Sequence, residues 1–356
     1  MIVHVCQREK FINSFIDLVC THFNPEEHRF LVIGKATAFP ITPRANVIEM
    51  ASYTGNVLQM LHMLYRADRI FLHSLFDERM LQWLVLQPWL LKKVVWVMWG
   101  GDLYRYQSNQ RSRRLATRLN EQIRAFAIPR FASYIGLRGD YKLAQRWYGV
   151  SRPLHEVFFY PSNLFRAECR RVATSGQDRT SIRILLGNSA DPSNRHLELF
   201  ERIAPHVDAR CQLIVPLSYG DSDYRETVIQ AGRKRFGQQL LPLTEFMALD
   251  EYFQLLSTID IAMFNHQRQQ AMSNLIQLLG FGAKVYLRDD VVTWDYFQDM
   301  DITLHATNGE LTDLLSPLAE DTRTRNETVI GEQFSMSQWL VQMTGLFAGE
   351  AKDVHE

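Results

Sequence analysis

Apolar residues along this chain follow two alternating rhythms. Short runs rich in β-branched residues occupy 2–5, 30–33, 47–49, 69–73, 94–99, 133–136 and 156–159. Between them, apolar positions recur at helical spacing over 11–22, 56–65, 80–86, 111–126 and 140–147. Short unbroken apolar runs suit strands buried on both faces, and the longer periodic stretches suit helices packed against them. The pattern predicts a parallel sheet with helices on both sides. It begins again at 182, with strands at 182–186, 212–216, 239–241, 259–264 and 284–287 and helices at 195–203, 224–236, 249–257 and 271–279. Between the two series, 166–181 is polar, basic and weakly periodic, contains Ser175-Gly176-Gln177-Asp178, and reads as a linker. A further helical pattern runs over 335–346. The expected organisation is a first domain at 1–165, a linker at 166–181, a second domain at 182–330 and a tail at 331–356 that crosses back to the first domain. The expected fold class is α/β, with two doubly wound Rossmann-like domains facing a central cleft. Ligands in such sheets bind beyond the carboxyl ends of the strands.

A chain of 356 residues exceeds one ordinary core, which agrees with two domains. The formal charge is +0, so the overall balance gives no reason to expect a nucleic-acid partner. The charge is uneven, however. Between Arg105 and Arg130 lie Arg111, Arg113, Arg114, Arg118 and Arg124, against Glu121 alone. Near them, Trp83, Leu84, Leu86, Pro88, Trp89, Leu90 and Leu91 supply either core or an interfacial apolar patch. With the arginines, that patch would suit an anionic membrane surface. The apolar stretch 80–99 contains Gln82, Gln87, Pro88, Lys92 and Lys93, too polar for a span of roughly 20 apolar residues. Membrane contact is therefore expected to be peripheral. The start of the chain reads as a strand, not a signal peptide. Cys6, Cys20, Cys169 and Cys211 are scattered without C-x-x-C spacing, which suits a reducing cytoplasm and predicts no zinc site.

Several strand ends carry candidate chemistry. The run Ile184-Leu185-Leu186-Gly187-Asn188-Ser189-Ala190-Asp191-Pro192-Ser193-Asn194-Arg195-His196 passes from strand to turn to helix, with Gly187 allowing close backbone approach and Ser193 or Asn194 as N-cap. Free N–H groups and a positive helix end there would hold an anion. Pro216, Ser218 and Tyr219 follow the next strand, where Tyr219 would stack on a base. Glu245 follows another and would accept hydrogen bonds from a ribose or base. The polar loop Asn265-His266-Gln267-Arg268-Gln269-Gln270 opens a helix containing Asn274. In it Arg268 would offset phosphate charge, and His266 or Gln269 would bond a sugar. In the first half, Trp99-Gly100-Gly101-Asp102-Leu103-Tyr104 ends a buried strand. Asp102 is placed to orient or deprotonate a hydroxyl, and His73 is a second candidate base. Each of these has a plainer reading as a cap, a turn or a solvated loop. Asp221-Ser222-Asp223 reads as a helix start, and no carboxylate or histidine spacing predicts a metal.

Two doubly wound domains of this kind form the architecture of nucleotide-sugar glycosyltransferases of the GT-B type. The motifs Trp99-Gly100-Gly101-Asp102-Leu103-Tyr104, Gly187-Asn188-Ser189-x-Asp191-x-Ser193-Asn194-x-His196 and Val215-Pro216-x-x-Tyr219 resemble the TDP-N-acetylfucosamine:lipid II N-acetylfucosaminyltransferases, glycosyltransferase family 56. That resemblance implies transfer of 4-acetamido-4,6-dideoxy-D-galactose (Fuc4NAc) from a dTDP-sugar to an undecaprenyl-diphosphate-linked disaccharide, in enterobacterial common antigen synthesis. The site would lie at the cytoplasmic face of the bacterial inner membrane, with no metal or other cofactor. Under this reading Gly187, Asn188, Ser189, Asn194, His196, Pro216, Ser218, Tyr219, Glu245, His266, Arg268, Gln269, Gln270 and Asn274 face the donor. Trp99, Gly100, Gly101 and Tyr104 face the acceptor, with Asp102 and His73 catalytic. The chain departs from many retaining GT-B enzymes, whose Glu-x7-Glu positions fall here on Gln269 and Gln277 and whose Arg/Lys pair is missing. Two other readings stand beside this one. One is a transferase using another nucleotide sugar in O-antigen or capsule synthesis, and the other is a non-catalytic glycan- or nucleotide-binding protein on the same scaffold.

Overall fold

The computed structural model describes residues 1–35, 39–51, 56–170 and 181–350. They form two compact units, one of residues 1–162 with the chain from 336 onward, the other of residues 163–335.

In the first unit the chain runs β1 (Ile2–Gln7), α1 (Ile12–His22), β2 (His28–Ile33), β3 (Val47–Met50), α2 (Val57–Arg66), β4 (Arg69–His73), α3 (Glu78–Val85), β5 (Val94–Val97), α4 (Gly101–Arg111), α5 (Leu115–Ala127), β6 (Ser133–Ile135), α6 (Arg138–Tyr148) and β7 (Leu154–His155). The sheet order is β3-β2-β1-β4-β5-β6-β7, and every pairing is parallel. Both faces are covered, so the central strands read as near-continuous apolar runs, such as Val94-Val95-Trp96-Val97.

The second unit runs β8 (Ile182–Leu186), α7 (His196–Ile203), β9 (Cys211–Pro216), α8 (Ser222–Phe236), β10 (Leu240–Leu243), α9 (Leu249–Leu256), β11 (Ile261–Phe264), α10 (Met272–Gly280), β12 (Lys284–Leu287), α11 (Val292–Gln298), β13 (His305–Ala306) and α12 (Glu320–Gln333). Its sheet is again all parallel, in the order β10-β9-β8-β11-β12-β13. The final helix, α13 (Met336–Ala348), belongs to the first unit. There Trp339 donates to the Phe159 carbonyl (3.2 Å), and Arg69 donates to the Leu346 carbonyl (2.5 Å).

Four sequence expectations differ from the structure. The run 156–159 is not a strand, because β6 is only three residues long and its ladder pairs Leu154 and His155 instead. The helix expected at 111–126 is two helices. Arg111 ends α4, and the Ser112 hydroxyl accepts from the Arg114 N–H (3.3 Å), a local turn that competes with helix, before α5 starts at Leu115. The second unit starts at 163, within the expected first domain. Buried Gln277 draws that segment in, donating to the Leu164 carbonyl (2.6 Å) and accepting from the Arg166 N–H (3.1 Å). Of the expected linker, 171–180, with Ser175-Gly176-Gln177-Asp178, lies outside the described residues, as does 351–356 of the tail. Finally, neither Ser193 nor Asn194 caps α7. Arg195, at φ +52°, stands at the N-cap, and Asp191 caps the short turn before it. Asp221 does cap α8, accepting from the Tyr224 N–H at 2.7 Å. Among the described residues no helix is long and apolar enough to cross a membrane.

Candidate active site

In each sheet, strand order reverses beside the first strand of the unit, between β1 and β4 and between β8 and β11. Such switch points leave a crevice at the carboxyl ends of the strands, where open α/β sheets take ligands.

At the β8/β11 point three motifs distant in sequence meet. Asn188 donates to the Tyr219 hydroxyl (3.3 Å) and accepts from Gln270 Nε2 (2.9 Å), and Gln270 Oε1 accepts from the Ser193 hydroxyl (3.0 Å). Arg268 pairs with Asp191 at 3.3 Å. Asn274, in the first turn of α10, donates to the Tyr252 hydroxyl (2.9 Å). Gln269 is half-buried in the same loop, and Pro216 is buried at the end of β9 with half-buried Ser218 two residues on. Tyr219 is 44% exposed, leaving ring surface for stacking. Glu245 is exposed beyond β10.

The turn after β8 is closed upon itself, contrary to the expectation of free amides. Asn194 Oδ1 accepts from the Asn188 N–H (3.1 Å), Asn194 Nδ2 donates to the Ser189 carbonyl (3.2 Å), and the Ala190 N–H goes to the Tyr219 carbonyl (2.8 Å). The His196 N–H is taken by the Tyr224 hydroxyl at 3.0 Å. His196 is fully buried, and its Nε2 lies against the Gly187 backbone. A Cβ on Gly187, at φ +70°, would stand 2.4 Å from that nitrogen, so only glycine fits. Burial lowers the His196 pKa to about 4, so the ring is neutral and supports the wall of the site from behind.

Donor groups suited to an anion lie instead at α10. Ala271 stands at its N-cap in the left-handed region (φ +60°) with no side-chain cap, so the leading N–H groups have no acceptor within the helix. The macrodipole adds partial positive charge there, and Arg268 is three residues upstream. His266 is buried, and burial, with the Arg268 charge, lowers its pKa to about 3 against backbone hydrogen bonds at Arg268 and at His266 itself. Among the described residues no three His, Cys, Asp or Glu side chains gather as around a metal.

In the first unit, Asp102 and His73 are closed off. The Asp102 carboxylate is 0% exposed and accepts from Leu75 N (2.8 Å), Trp96 Nε1 (2.8 Å), Trp99 N (2.9 Å) and Leu103 N (3.0 Å). Burial raises its pKa, and the Trp96 and Leu75 donors and the Arg124 charge work against the rise. With four protein donors on its oxygens it fixes the turn after β5 rather than facing a substrate. Gly100, at φ +74°, sits in that turn, followed by Gly101 at the start of α4. His73 is joined at both ring nitrogens, to Tyr160 Oη (2.7 Å) and to His4 (3.1 Å). His4 in turn meets His28 (3.1 Å), and Trp99 donates its indole N–H to Tyr160 (2.7 Å). One tautomer, with each imidazole donating through Nε2, satisfies this chain if Tyr160 donates to His73. Burial lowers the pKa of His73 to about 3 and of His28 to about 4, and drives that of His4 well down. Tyr104 hydrogen-bonds buried Asp140, whose pKa burial and the nearby Asp102 charge raise to about 7.

Residues 4–315 match the family described as 4-alpha-L-fucosyltransferase, glycosyl transferase group 56. The chain belongs to glycosyl transferase group 56. Among solved structures, sucrose-phosphate synthase from Thermosynechococcus elongatus superposes with a TM-score of 0.70 at 10% identity over 98% of each chain. Anabaena HepE, solved with UDP and glucose, gives 0.69 at 12% identity over 98% of this chain and all of that one (100%). A Rickettsia africae glycosyltransferase gives 0.66 at 10% identity, covering 99% and 98%. These likenesses establish the GT-B fold. This group 56 protein is accordingly a nucleotide-sugar glycosyltransferase, which removes the non-catalytic reading.

Sequence reasoning about this group 56 enzyme missed several residues. Tyr224, Tyr252 and Arg288 join the donor-side cluster through contacts visible only in the fold, Arg288 reaching Asn265 Oδ1 at 3.4 Å. Ser74, after β4, has φ +75°, and its buried hydroxyl has no partner. It lines a small pocket with Gln7, His73 and Asp77 beside the β1/β4 switch point. Its positive φ was the signal, and no side-chain pattern announces it.

Proposed function

We propose that the enzyme transfers Fuc4NAc from dTDP-Fuc4NAc to an undecaprenyl-diphosphate-linked disaccharide in enterobacterial common antigen synthesis, as a peripheral protein on the cytoplasmic face of the bacterial inner membrane. The observation that carries the donor half is the meeting of residues 187–196, 216–219 and 265–274 at the β8/β11 switch point, beside Arg268 and the uncapped start of α10. The family description names a fucosyl group, a 6-deoxygalactose like Fuc4NAc. HepE, with UDP, supports a pyrimidine nucleoside diphosphate as the donor's carrier.

In this reading Tyr219 stacks on the base. The diphosphate lies at the start of α10, where the N–H groups and Arg268 stabilise charge that grows on the leaving group, without a metal. Gln269, Gln270, Asn274 and His266 frame the sugar. Asn188, Ser189, Asn194 and His196 set the wall that positions Gln270 and Tyr219. In the first unit Trp99 and Tyr104 receive the acceptor, and Asp102 and His73 are positioning residues. With Asp102 closed off, the leaving phosphate is the base that takes the acceptor proton.

The test is transfer by the purified full chain with dTDP-Fuc4NAc, set against UDP- and GDP-sugars, with and without EDTA. Transfer from dTDP-Fuc4NAc alone, undiminished by EDTA, is expected. Preference for another nucleotide sugar would overturn the donor assignment, and loss in EDTA would overturn the metal-free chemistry.

A further inference from the structure

Helix α5 has its polarity inverted. Its buried residues are Glu121, Arg124 and Ala127, whereas Leu115 is 82%, Leu119 57% and Phe126 40% exposed. Leu115, Leu119, Gln122 and Phe126 fall at i, i+4, i+7 and i+11, on one face. A helix with this composition would ordinarily turn its leucines inward. Here the opposite face is fixed. Arg124 donates to the Asp102 carbonyl (2.7 Å), the Leu75 carbonyl (3.1 Å) and Tyr148 Oη (3.2 Å). Glu121 accepts from Asn109 (2.7 Å) and Tyr148 (2.8 Å). Rotating α5 would strand this buried pair, at a cost the leucines could not offset. The apolar stripe is thus held outward by the interior of its own domain.

Charge says what covers it. Arg111, Arg113, Arg114 and Arg118 are all exposed at the amino end of the stripe. From Leu103 to Gly139 the only acidic residue is Glu121, and it is buried. Leu86, 73% exposed, extends the apolar edge at the C-cap of α3, one turn after Gln82, which donates to Asn120 of α5 (3.0 Å). These leucines are rimmed by guanidiniums, and the nearby carboxylate of Glu78 on α3 is engaged by Asn120 and Arg105 (3.9 Å), so the face suits acyl chains beneath anionic headgroups and does not suit a nucleic acid.

We propose that the outer face of α5, with the arginines at its amino end, docks this enzyme on an anionic lipid bilayer. The inference rests on the lipid-linked acceptor reading and adds the surface that brings the enzyme to it. Each guanidinium near such a membrane raises partition about fivefold, and the apolar stripe supplies the part that salt does not screen.

The experiment is co-sedimentation of the full chain with phosphatidylcholine vesicles, with and without phosphatidylglycerol, for wild type and Leu115→Gln/Leu119→Gln. Both positions are exposed, so the double variant keeps the fold. The expected result is binding to phosphatidylglycerol vesicles that falls roughly tenfold or more in the variant, with transfer to a water-soluble short-chain acceptor unchanged. Equal binding by wild type and variant, or no binding by wild type, overturns the α5 assignment. A wild-type dimer in sedimentation equilibrium that the double variant abolishes also overturns it, and gives the face to a second copy. Failure of wild type to use either acceptor refutes the functional reading separately.

Discussion

The buried histidine chain makes the first unit's stability respond to pH in a way that single substitutions can isolate. Take His28→Gln. In the fold His28 titrates at about 4 because burial disfavours its cation, whereas an unfolded histidine titrates near 6.5. As pH falls from 7 to 5 the unfolded chain gains this proton and the folded chain does not, so stability is lost, by about 2 kcal/mol for this one ring. His73, at about 3, contributes a similar loss, and His4 acts in the same direction. Asp140 opposes them. Its folded pKa of about 7 lies above the unfolded carboxyl value, so its burial costs most above pH 7 and that cost is relieved on acidification. Over the same interval that relief is worth about 2 kcal/mol. Asp102 and Glu9, also raised by burial, act in its sense. The informative quantity is therefore the difference between variants. Urea unfolding followed by tryptophan fluorescence reports the first unit, since every tryptophan except Trp294 lies there. The loss from pH 7 to pH 5 should be smaller in His28→Gln than in wild type by about 2 kcal/mol, and larger in Asp140→Asn by about the same amount. Losses equal in all three proteins would refute the reasoning, because they would mean that neither group changes its proton affinity on folding.

The other predictions concern the donor unit. Arg268→Ala should lower kcat for transfer roughly a hundredfold with little change in Tm, since its partner Asp191 is itself half-exposed; a normal kcat would remove Arg268 from the site. Gln277→Ala should cost about 2–4 kcal/mol of stability through two orphaned backbone groups while leaving kcat intact below the unfolding temperature, the reverse of what a catalytic residue would show. Gly187→Ala should destabilise the second unit by roughly 2 kcal/mol or more, from its positive φ and the collision with His196; denaturant unfolding measures it.

The strand positions and doubly wound plan were legible because buried parallel strands must be apolar on both faces, as in Val94–Val97 and at 184–186. Helix α4 was not, because its only buried residues are Asp102 and Leu103 and its exposed turns carry no apolar period. The histidine chain was equally invisible. His4, His28 and His73 meet only because β1 lies between β2 and β4, in a register that sets Ile2 against His28 and Cys6 against His73. The polar runs that meet at the β8/β11 point were legible one motif at a time, since polar runs after apolar strands mark the mouths of such sheets. Their partnership was not, because Asn188 and Gln270 are 82 residues apart.

The amides expected to be free at 187–196 are taken up for a physical reason. A turn rich in Asn, Ser and Asp after a strand looks like an array of donors, but those side chains are also the ones that hydrogen-bond their own backbone. At 187–196 they do so: Asn194 takes the Asn188 N–H, Asp191 takes the Ser193 N–H (2.8 Å), and Tyr224 closes the start of α7. Asp191 also carries negative charge, its pKa held down by Ser193 and Arg268 against the effect of burial. An anion there would meet that carboxylate. At α10 the balance is reversed. Ala271 offers no side chain to cap the helix, and Arg268 is paired with a half-exposed carboxylate that a diphosphate, with more charge, can replace. The tight turn after β8 therefore acts through shape, fixing Gln270 and Tyr219, and in the proposed reading the helix after β11 supplies the charge.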